Sequence, residues 1–276
     1  MKLNLNCPIS KKQIEKYESF IERITGLIEK TKLPLLSCVL LQSSSELDEN
    51  KDFFSKNSLK IFTGELLSKY LNEGWAMIGC YQQAAFLSSF HHTRASLELL
   101  AIYHWTVYKD NKIEKRVKKY FEFKELNLYN YYRKITNANV KDEHSLFSSV
   151  DENQVKVWEK KIDEWVKLFD VKDKDLSNVI NWHHGCKIEN MLSEFPNEKL
   201  KMFYTEISHA THFSPYSHSF GTVDSVLGLP INLDGDLTQI NTPITIYLNS
   251  LEFLLNIIHH KIGFDSKVKF PKNKIY

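Results

Sequence analysis

Residues that break or cross-link a chain are scarce in this sequence. Only 9 of the 276 residues are glycine and 7 are proline, which argues against a sheet with many tight turns and favours long helices. The cysteines, Cys7, Cys38, Cys80 and Cys186, are far apart and form no C-x-x-C pair. A zinc site of the usual spacing and a disulfide framework are therefore both unexpected.

An excess of one charge and a long apolar run are also lacking. The formal net charge is +2, so any phosphate-binding surface has to be a local patch. The stretch nearest to a membrane span, "PITIYLNSLEFLLNIIHHKIG", is interrupted by polar residues, and the opening "MKLNLNCPISKKQ" has no apolar signal-peptide core. We therefore expect a cytoplasmic protein with no membrane partner.

Amphipathic spacing is the main pattern that is present. Apolar residues make up 42% of the chain, enough to bury a substantial core, and their recurrence every three or four residues predicts helices. The predicted helices cover residues 10–31, 58–72, 75–108, 111–135 and 151–169, a short stretch from about 185, and residues 198–213 and 243–262. Gly74 is expected to end the second of these helices.

The sequence therefore predicts an all-α fold, a helical bundle with one long central helix over residues 75–108. Residues 1–73 are assigned to an N-terminal helical extension and residues 74–276 to the bundle. Before the last helix, residues 213–242 hold most of the late glycine and proline. A loop of that length is often functional, for example as a lid.

Three polar residues stand in the middle of the central helix, in the stretch "FLSSFHHTRASLELLAIYHW", residues 86–105. On a helical projection His91, Arg94 and Glu98 lie within about 60° of one another and of the apolar stripe. Arg94 and Glu98 are four residues apart, so their side chains can meet on the helix surface. The triplet is either an internal ion pair that fixes helix packing or the polar lining of a cleft.

A second polar cluster lies in "MFYTEISHATHFSPYSHS", residues 202–219. On a helix Tyr204 belongs to the buried stripe, while Ser208 and His212 lie on one edge of it, four residues apart. His212 also falls at the predicted helix end. A histidine there is either a cap stabilised by the helix dipole or a proton-transfer group.

Metal binding is a further alternative for the histidines. A di-iron carboxylate bundle needs two Glu-x-x-His helices and two more glutamates, and this chain has one such motif, Glu206 and His209. We therefore expect no metal and no cofactor, and a metal-binding helical bundle is the weaker interpretation.

The stretch "KRVKKYFEFKELNLYNYYRK", residues 115–134, combines basic and aromatic side chains. Such a mixture can stack bases and contact phosphates of a single-stranded nucleic acid. The alternative is a solvated helix whose lysine stems cover apolar surface while their charges stay in water.

Two motifs taken together resemble a bacterial helical domain family of unknown function. Its R-x-x-x-E helix matches Arg94 and Glu98, and its later Y-x-x-x-S-x-x-x-H motif matches Tyr204, Ser208 and His212. A tryptophan-containing helical stretch, here around Trp182, lies between them, and the similarity covers roughly residues 75 to 260.

That family looks like a relative of the HEPN (higher eukaryotes and prokaryotes nucleotide-binding) domains. These are small helical bundles, often dimeric, and many are metal-independent ribonucleases of toxin–antitoxin and phage-defence systems. Their usual signature is an arginine followed a few residues later by a histidine on one helix. Here Glu98 follows Arg94 and His104 lies ten residues on. Relatives without the signature are commonly non-catalytic binding partners.

The resemblance implies two hypotheses about function. In the first, the protein is a ribonuclease or toxin-like effector that acts on RNA as a homodimer, with His212 as general acid or base and Arg94 on a phosphate oxygen. Its catalytic residues are Arg94, Glu98, Ser208 and His212, and its substrate-binding residues are His91 and Tyr204. In the second, a non-catalytic interaction or adaptor protein binds a protein partner, and the cluster is a buried structural network. A ligand-binding or sensor role is a third alternative.

Overall fold

The structure is a computed structural model of the chain. It describes residues 51–82, 86–108, 110–137, 150–169, 182–183, 186–195, 198–211 and 237–262, together with Glu15, Glu18, Ser19, Glu22 and Gly26. These residues are almost all helical and include no strand, which confirms the predicted all-α helical bundle.

The described helices are α1 (Lys51–Gln82), α2 (Phe86–Val107), α3 (Asp110–Asn137), α4 (Glu152–Phe169), α5 (Ile188–Ser193), α6 (Glu198–Thr211) and α7 (Leu237–Ile262). They belong to two compact units, which we call the first unit (residues 1–108 and 188–276) and the second unit (residues 109–187). The domain boundary expected between residues 73 and 74 falls inside α1.

The expected single helix over residues 75–108 is wrong, because two antiparallel helices share this stretch. α1 ends at Gln82 and α2 begins at Phe86, and residues 83–85 lie outside the described part. Thr63 Oγ1 of α1 lies 3.1 Å from the Tyr103 hydroxyl of α2, a contact that one straight helix cannot make. Gly74, expected to end a helix, is buried within α1.

The end of α1 and the beginning of α2 cannot be predicted from the sequence, because no helix-terminating residue lies between them. Residues 83–85 read Gln-Ala-Ala, and these residue types have high helix propensity. A second reason is that α2 buries residues around most of its circumference, among them Phe90, Thr93, Leu97 and Leu100. The 3.6-residue period therefore continues from α1 into α2 with no change in its apolar pattern.

Helix α2 is the centre of the first unit and packs against α1, α5, α6 and α7. Buried Thr93 is satisfied both within α2 and across the contact with α7. Thr93 Oγ1 donates to the Ser89 carbonyl at 2.9 Å and also lies 3.3 Å from the carbonyl of Pro243 in α7. A buried hydroxyl with such partners avoids most of the cost of leaving water.

Helices α1 and α7 are joined by a pair of fully buried tyrosines. The Tyr70 and Tyr247 rings stack with centroids 5.2 Å apart. The Tyr70 hydroxyl lies 2.5 Å from Ser250 Oγ, and the Tyr247 hydroxyl donates to the Tyr70 carbonyl at 3.2 Å. Burial raises the pKa of both phenols, so they remain protonated and serve as structural donors.

The second unit is built on the antiparallel pair of α3 and α4. Trp165 Nε1 donates to the Lys119 carbonyl at 3.3 Å, and the Tyr129 hydroxyl donates to Glu159 Oε1 at 3.0 Å. Helix α4 buries Trp158, Ile162 and Trp165, which confirms the amphipathic stripe expected over residues 151–169. Asp151 caps this helix by accepting from the Gln154 backbone amide at 2.8 Å.

The remaining predicted helices have mixed outcomes. Five residues between 15 and 26 are helical, in agreement with the helix expected over residues 10–31. Helix α7 begins at Leu237 and contains Pro243, so the last part of the expected 213–242 loop is helical, and residues 212–236 lie outside the described part. No helix within the described ranges combines the length and apolarity needed to cross a bilayer.

Candidate functional site

Arg94 and Glu98 form an ion pair on the surface of α2. They lie one helical turn apart, and Arg94 Nε donates to Glu98 Oε1 at 2.9 Å. The side chains are 26% and 33% exposed, so water reaches both. The spacing argument for their contact is confirmed by this geometry.

Tyr204 of α6 joins the pair from a distant part of the sequence. Its hydroxyl donates to the same Glu98 Oε1 at 3.1 Å, across a separation of 106 residues. Arg94 Cζ also lies 5.8 Å from the centroid of the Tyr204 ring, within the range of a cation–π contact. Because Tyr204 is only 5% exposed, it forms the floor of a cluster whose charged groups face water.

Ser208 lies one turn after Tyr204 on α6 and is half-buried. Its side chain acts to lower the pKa of the Tyr204 phenol. The structure therefore brings together Arg94, Glu98, Tyr204 and Ser208. His212 follows the last residue of α6, Thr211, and lies outside the described residues, so its place in the cluster stays a prediction.

His91 does not share the buried side of α2, and the expectation that it does is wrong. It is exposed, whereas Arg94 and Glu98 are half-buried. A helical projection gives the angle of a residue about the axis but not how far a neighbouring helix extends along it. His91 lies five residues from the beginning of α2. Its role in binding substrate stays a prediction.

Arg94 and Tyr204 both keep their protons near neutral pH. Burial acts to lower the pKa of Arg94, but the hydrogen bond and negative charge of Glu98 outweigh it and raise the pKa. Burial raises the pKa of Tyr204, and the Glu98 charge raises it further. Arg94 therefore remains a cation and Tyr204 a hydrogen-bond donor. Proton transfer near pH 7 needs a group that titrates there, and His212 is the candidate of that type.

The partners of His92 and His104 were not predicted from the sequence. His92 Nδ1 lies 2.8 Å from Glu73 Oε2 of α1, with both side chains about 30% exposed. This contact depends on the hairpin of α1 and α2, for which the sequence carries no stop signal. The sequence feature that bears on this contact is the pair of adjacent histidines, His91 and His92. Their side chains point in different directions around a helix, so one of them can face a neighbouring helix.

His104 occupies a buried aromatic environment. It is 6% exposed, its ring stacks on Phe195 with centroids 4.4 Å apart, and its Nδ1 has no hydrogen-bond partner among the described residues. Burial lowers the pKa of His104, Glu194 acts to raise it, and Lys261 acts to lower it. His104 also lies about 15 Å farther along α2 than Arg94, so the two do not form one site.

Metal-ligating groups do not cluster in the part of the chain that is described. There, no three histidine, cysteine, aspartate or glutamate side chains come close enough to hold an ion. The side chains of Glu206 and His209, the one Glu-x-x-His motif, lie outside the described set.

Comparisons with known proteins give no information about this cluster. A scan against protein-family models finds no match to this chain, and neither do searches of curated proteins and of solved structures. The relationship to the HEPN domains accordingly stays a prediction from the two sequence motifs.

Proposed function

We propose that this protein is a metal-independent ribonuclease, a toxin-like effector of a bacterial defence or toxin–antitoxin system, and that the Arg94–Glu98–Tyr204 cluster belongs to its active site. The observation that supports this proposal is one shared carboxylate oxygen. Glu98 Oε1 accepts from both Arg94 Nε and the Tyr204 hydroxyl, while Arg94 and Glu98 remain accessible to water. A cation is thereby held in one orientation at a solvent-facing position.

Metal-free RNA cleavage needs such a cation together with a proton-transfer group. The 2′-oxygen attacks phosphorus as its proton passes to a base. The bond from phosphorus to the 5′-oxygen then breaks, and that oxygen takes a proton, which leaves a 2′,3′-cyclic phosphate and a 5′-hydroxyl. Arg94 stabilises the charge on the phosphate oxygens, and Glu98 orients Arg94. His212 transfers the protons, Ser208 is the fourth catalytic residue, and Tyr204 and His91 bind the substrate.

The test compares purified wild type with Arg94→Ala and His212→Ala on single-stranded RNA in the presence of a metal chelator. We expect wild type to release 2′,3′-cyclic phosphate ends. The rate should fall by about 10²–10³-fold without Arg94 and by about 10²–10⁴-fold without His212. Lys60→Ala is the matched control, because Lys60 is exposed on α1, and we expect it to retain full activity.

Two results would remove the ribonuclease proposal. One is a wild type that neither degrades RNA nor slows growth when expressed. The other is an activity that persists at the wild-type level in both folded variants. The proposal also includes cytoplasmic action and a homodimer, and light scattering on the purified chain tests the dimer.

The second candidate function is a non-catalytic interaction or adaptor protein that binds a protein partner. The observation that favours it is the burial of Tyr204, which is 5% exposed and fixes α6 against α2 through Glu98. In this case the cluster specifies helix packing, as buried polar groups do in some proteins. It predicts that Tyr204→Phe and Arg94→Ala change partner binding only as far as they change stability.

A further inference from the structure

Two lysines of α3 converge on the last turn of α4 in the second unit. Lys119 Nζ lies 5.3 Å from the centroid of the Trp165 ring and 5.7 Å from that of Phe169. Lys115 Nζ lies 5.9 Å from the same Phe169 centroid. Within the described residues, neither ammonium group pairs with a carboxylate. Two positive charges thus share one aromatic surface with no counter-ion from these residues.

The Lys115 and Lys119 ammonium groups repel each other at this position. Burial lowers the pKa of Lys119, the neighbouring Lys115 ammonium lowers it further, and Cys186 acts in the opposite direction. Phe169 is the last residue of α4, so the two ammonium groups lie near a helix C-terminus, which carries about half a negative charge. That partial charge offsets only a part of the two ammonium charges, so a bound anion would reduce their repulsion.

The neighbouring basic residue Lys118 does not contribute to this surface. Lys118 Nζ pairs with Glu122 Oε1 at 3.5 Å on the same helix. Within the described residues, Lys115 and Lys119 of this stretch lie beside Phe169 of α4 without a carboxylate partner. Lys115 is exposed, and Lys119 and Phe169 are half-exposed, so a ligand can reach all three.

We propose that Lys115 and Lys119 bind the phosphate group of a nucleotide whose base lies against the Phe169 ring. Ammonium groups bind phosphate as point charges, and an aromatic ring accepts any base by stacking. The nucleotide is either free or part of an RNA strand. This site uses residues of the second unit alone, so it does not depend on the ribonuclease proposal.

The experiment is a calorimetric titration of the full chain with three probes: inorganic phosphate, adenosine monophosphate and a short single-stranded oligoadenylate. The test variant carries Lys115→Gln with Lys119→Gln. The matched control carries Lys156→Gln with Lys160→Gln, which removes the same charge from exposed positions of α4. Because Lys119 also packs on Trp165, the single change Lys115→Gln at an exposed position provides a second variant, which we expect to fold as wild type does.

We expect the double test variant to bind the best probe at least about tenfold more weakly than wild type, and the control to bind within about twofold of wild type. If the ligand is RNA, the oligoadenylate binds tightest. The slope of log affinity against log salt then becomes shallower by about 1.4 in the test variant, because two phosphate contacts are lost. If the ligand is a free nucleotide, the monophosphate binds as tightly as the oligomer.

Three outcomes would overturn the proposal. Wild type could bind none of the probes, or the control could lose as much affinity as the test variant. The third is a test variant, or the single Lys115→Gln variant, that melts earlier but binds as wild type does. In that case the lysines only stabilise the end of α4 through its dipole and the aromatic rings.

Discussion

The substitution Arg94→Ala distinguishes an active-site cluster that is open to water from a buried ion pair that fixes helix packing. The two hypotheses predict different losses in the free energy of unfolding. If the pair were fully buried, removing one partner would leave an unpaired charge at a cost of about 3–5 kcal/mol. In this structure Glu98 is 33% exposed and keeps the hydrogen bond from Tyr204. Its charge is therefore still solvated and still bonded after the substitution.

The expected loss follows from the contacts that Arg94 makes. An ion pair between residues four apart on a helix contributes about 0.3–0.5 kcal/mol when it is accessible to water. The cation–π contact with Tyr204 adds about 0.5–1 kcal/mol at a partly exposed site, and alanine is a slightly better helix former than arginine. We expect Arg94→Ala to lower the free energy of unfolding by about 1 kcal/mol.

Urea unfolding followed by far-ultraviolet circular dichroism measures this quantity, with Lys60→Ala at an exposed position of α1 as the control. The control is expected to stay within about 0.5 kcal/mol of wild type, as most surface changes do. A loss of about 3 kcal/mol or more for Arg94→Ala would show that the Glu98 carboxylate is left as a buried, unpaired charge. The description of the cluster as open to water would then be wrong, and so would its use as an active site.

Two further substitutions test the buried neighbours. Tyr204→Phe removes a hydrogen bond to a carboxylate, so we expect a loss of about 1.5–3 kcal/mol, against less than about 0.5 kcal/mol for Tyr131→Phe at an exposed position, measured by urea unfolding. His104 has a folded-state pKa below its unfolded value, so wild-type stability should fall as the pH drops below about 6.5. In thermal melts at different pH values, the stability of His104→Gln should fall less at low pH than that of wild type. If the two proteins show the same pH dependence, His104 does not cause the fall.

Local features of the fold were accessible from the sequence, because they depend on residues close together in the chain. The buried stripe of α4, with Trp158, Ile162 and Trp165, follows from a period of 3.6 residues. The contact between Arg94 and Glu98 follows from the geometry of one helical turn. Neither needs knowledge of which helices are neighbours.

Features that depend on distant neighbours were not accessible. The sequence between α1 and α2, Gln83, Ala84 and Ala85, consists of helix-forming residue types, so propensity and period both predict one continuous helix. The bond from Tyr204 to Glu98 required the resemblance to a known family to suggest that two segments meet. The burial of His104 beside Phe195 and the exposure of His91 depend on where α5 and α6 lie along α2, which no local pattern contains.

The order of the helices along the chain has a consequence for synthesis on the ribosome. Helix α2 is completed by α5, α6 and α7, which are translated only after the whole second unit. The second unit is continuous in sequence, from residue 109 to residue 187, and contains its own paired helices. Domains generally fold as units during translation, and contacts over long sequence separations form slowly. A nascent chain that stops after residue 187 therefore holds a folded middle and an α2 with several uncovered apolar sides, which is the kind of surface that chaperones bind.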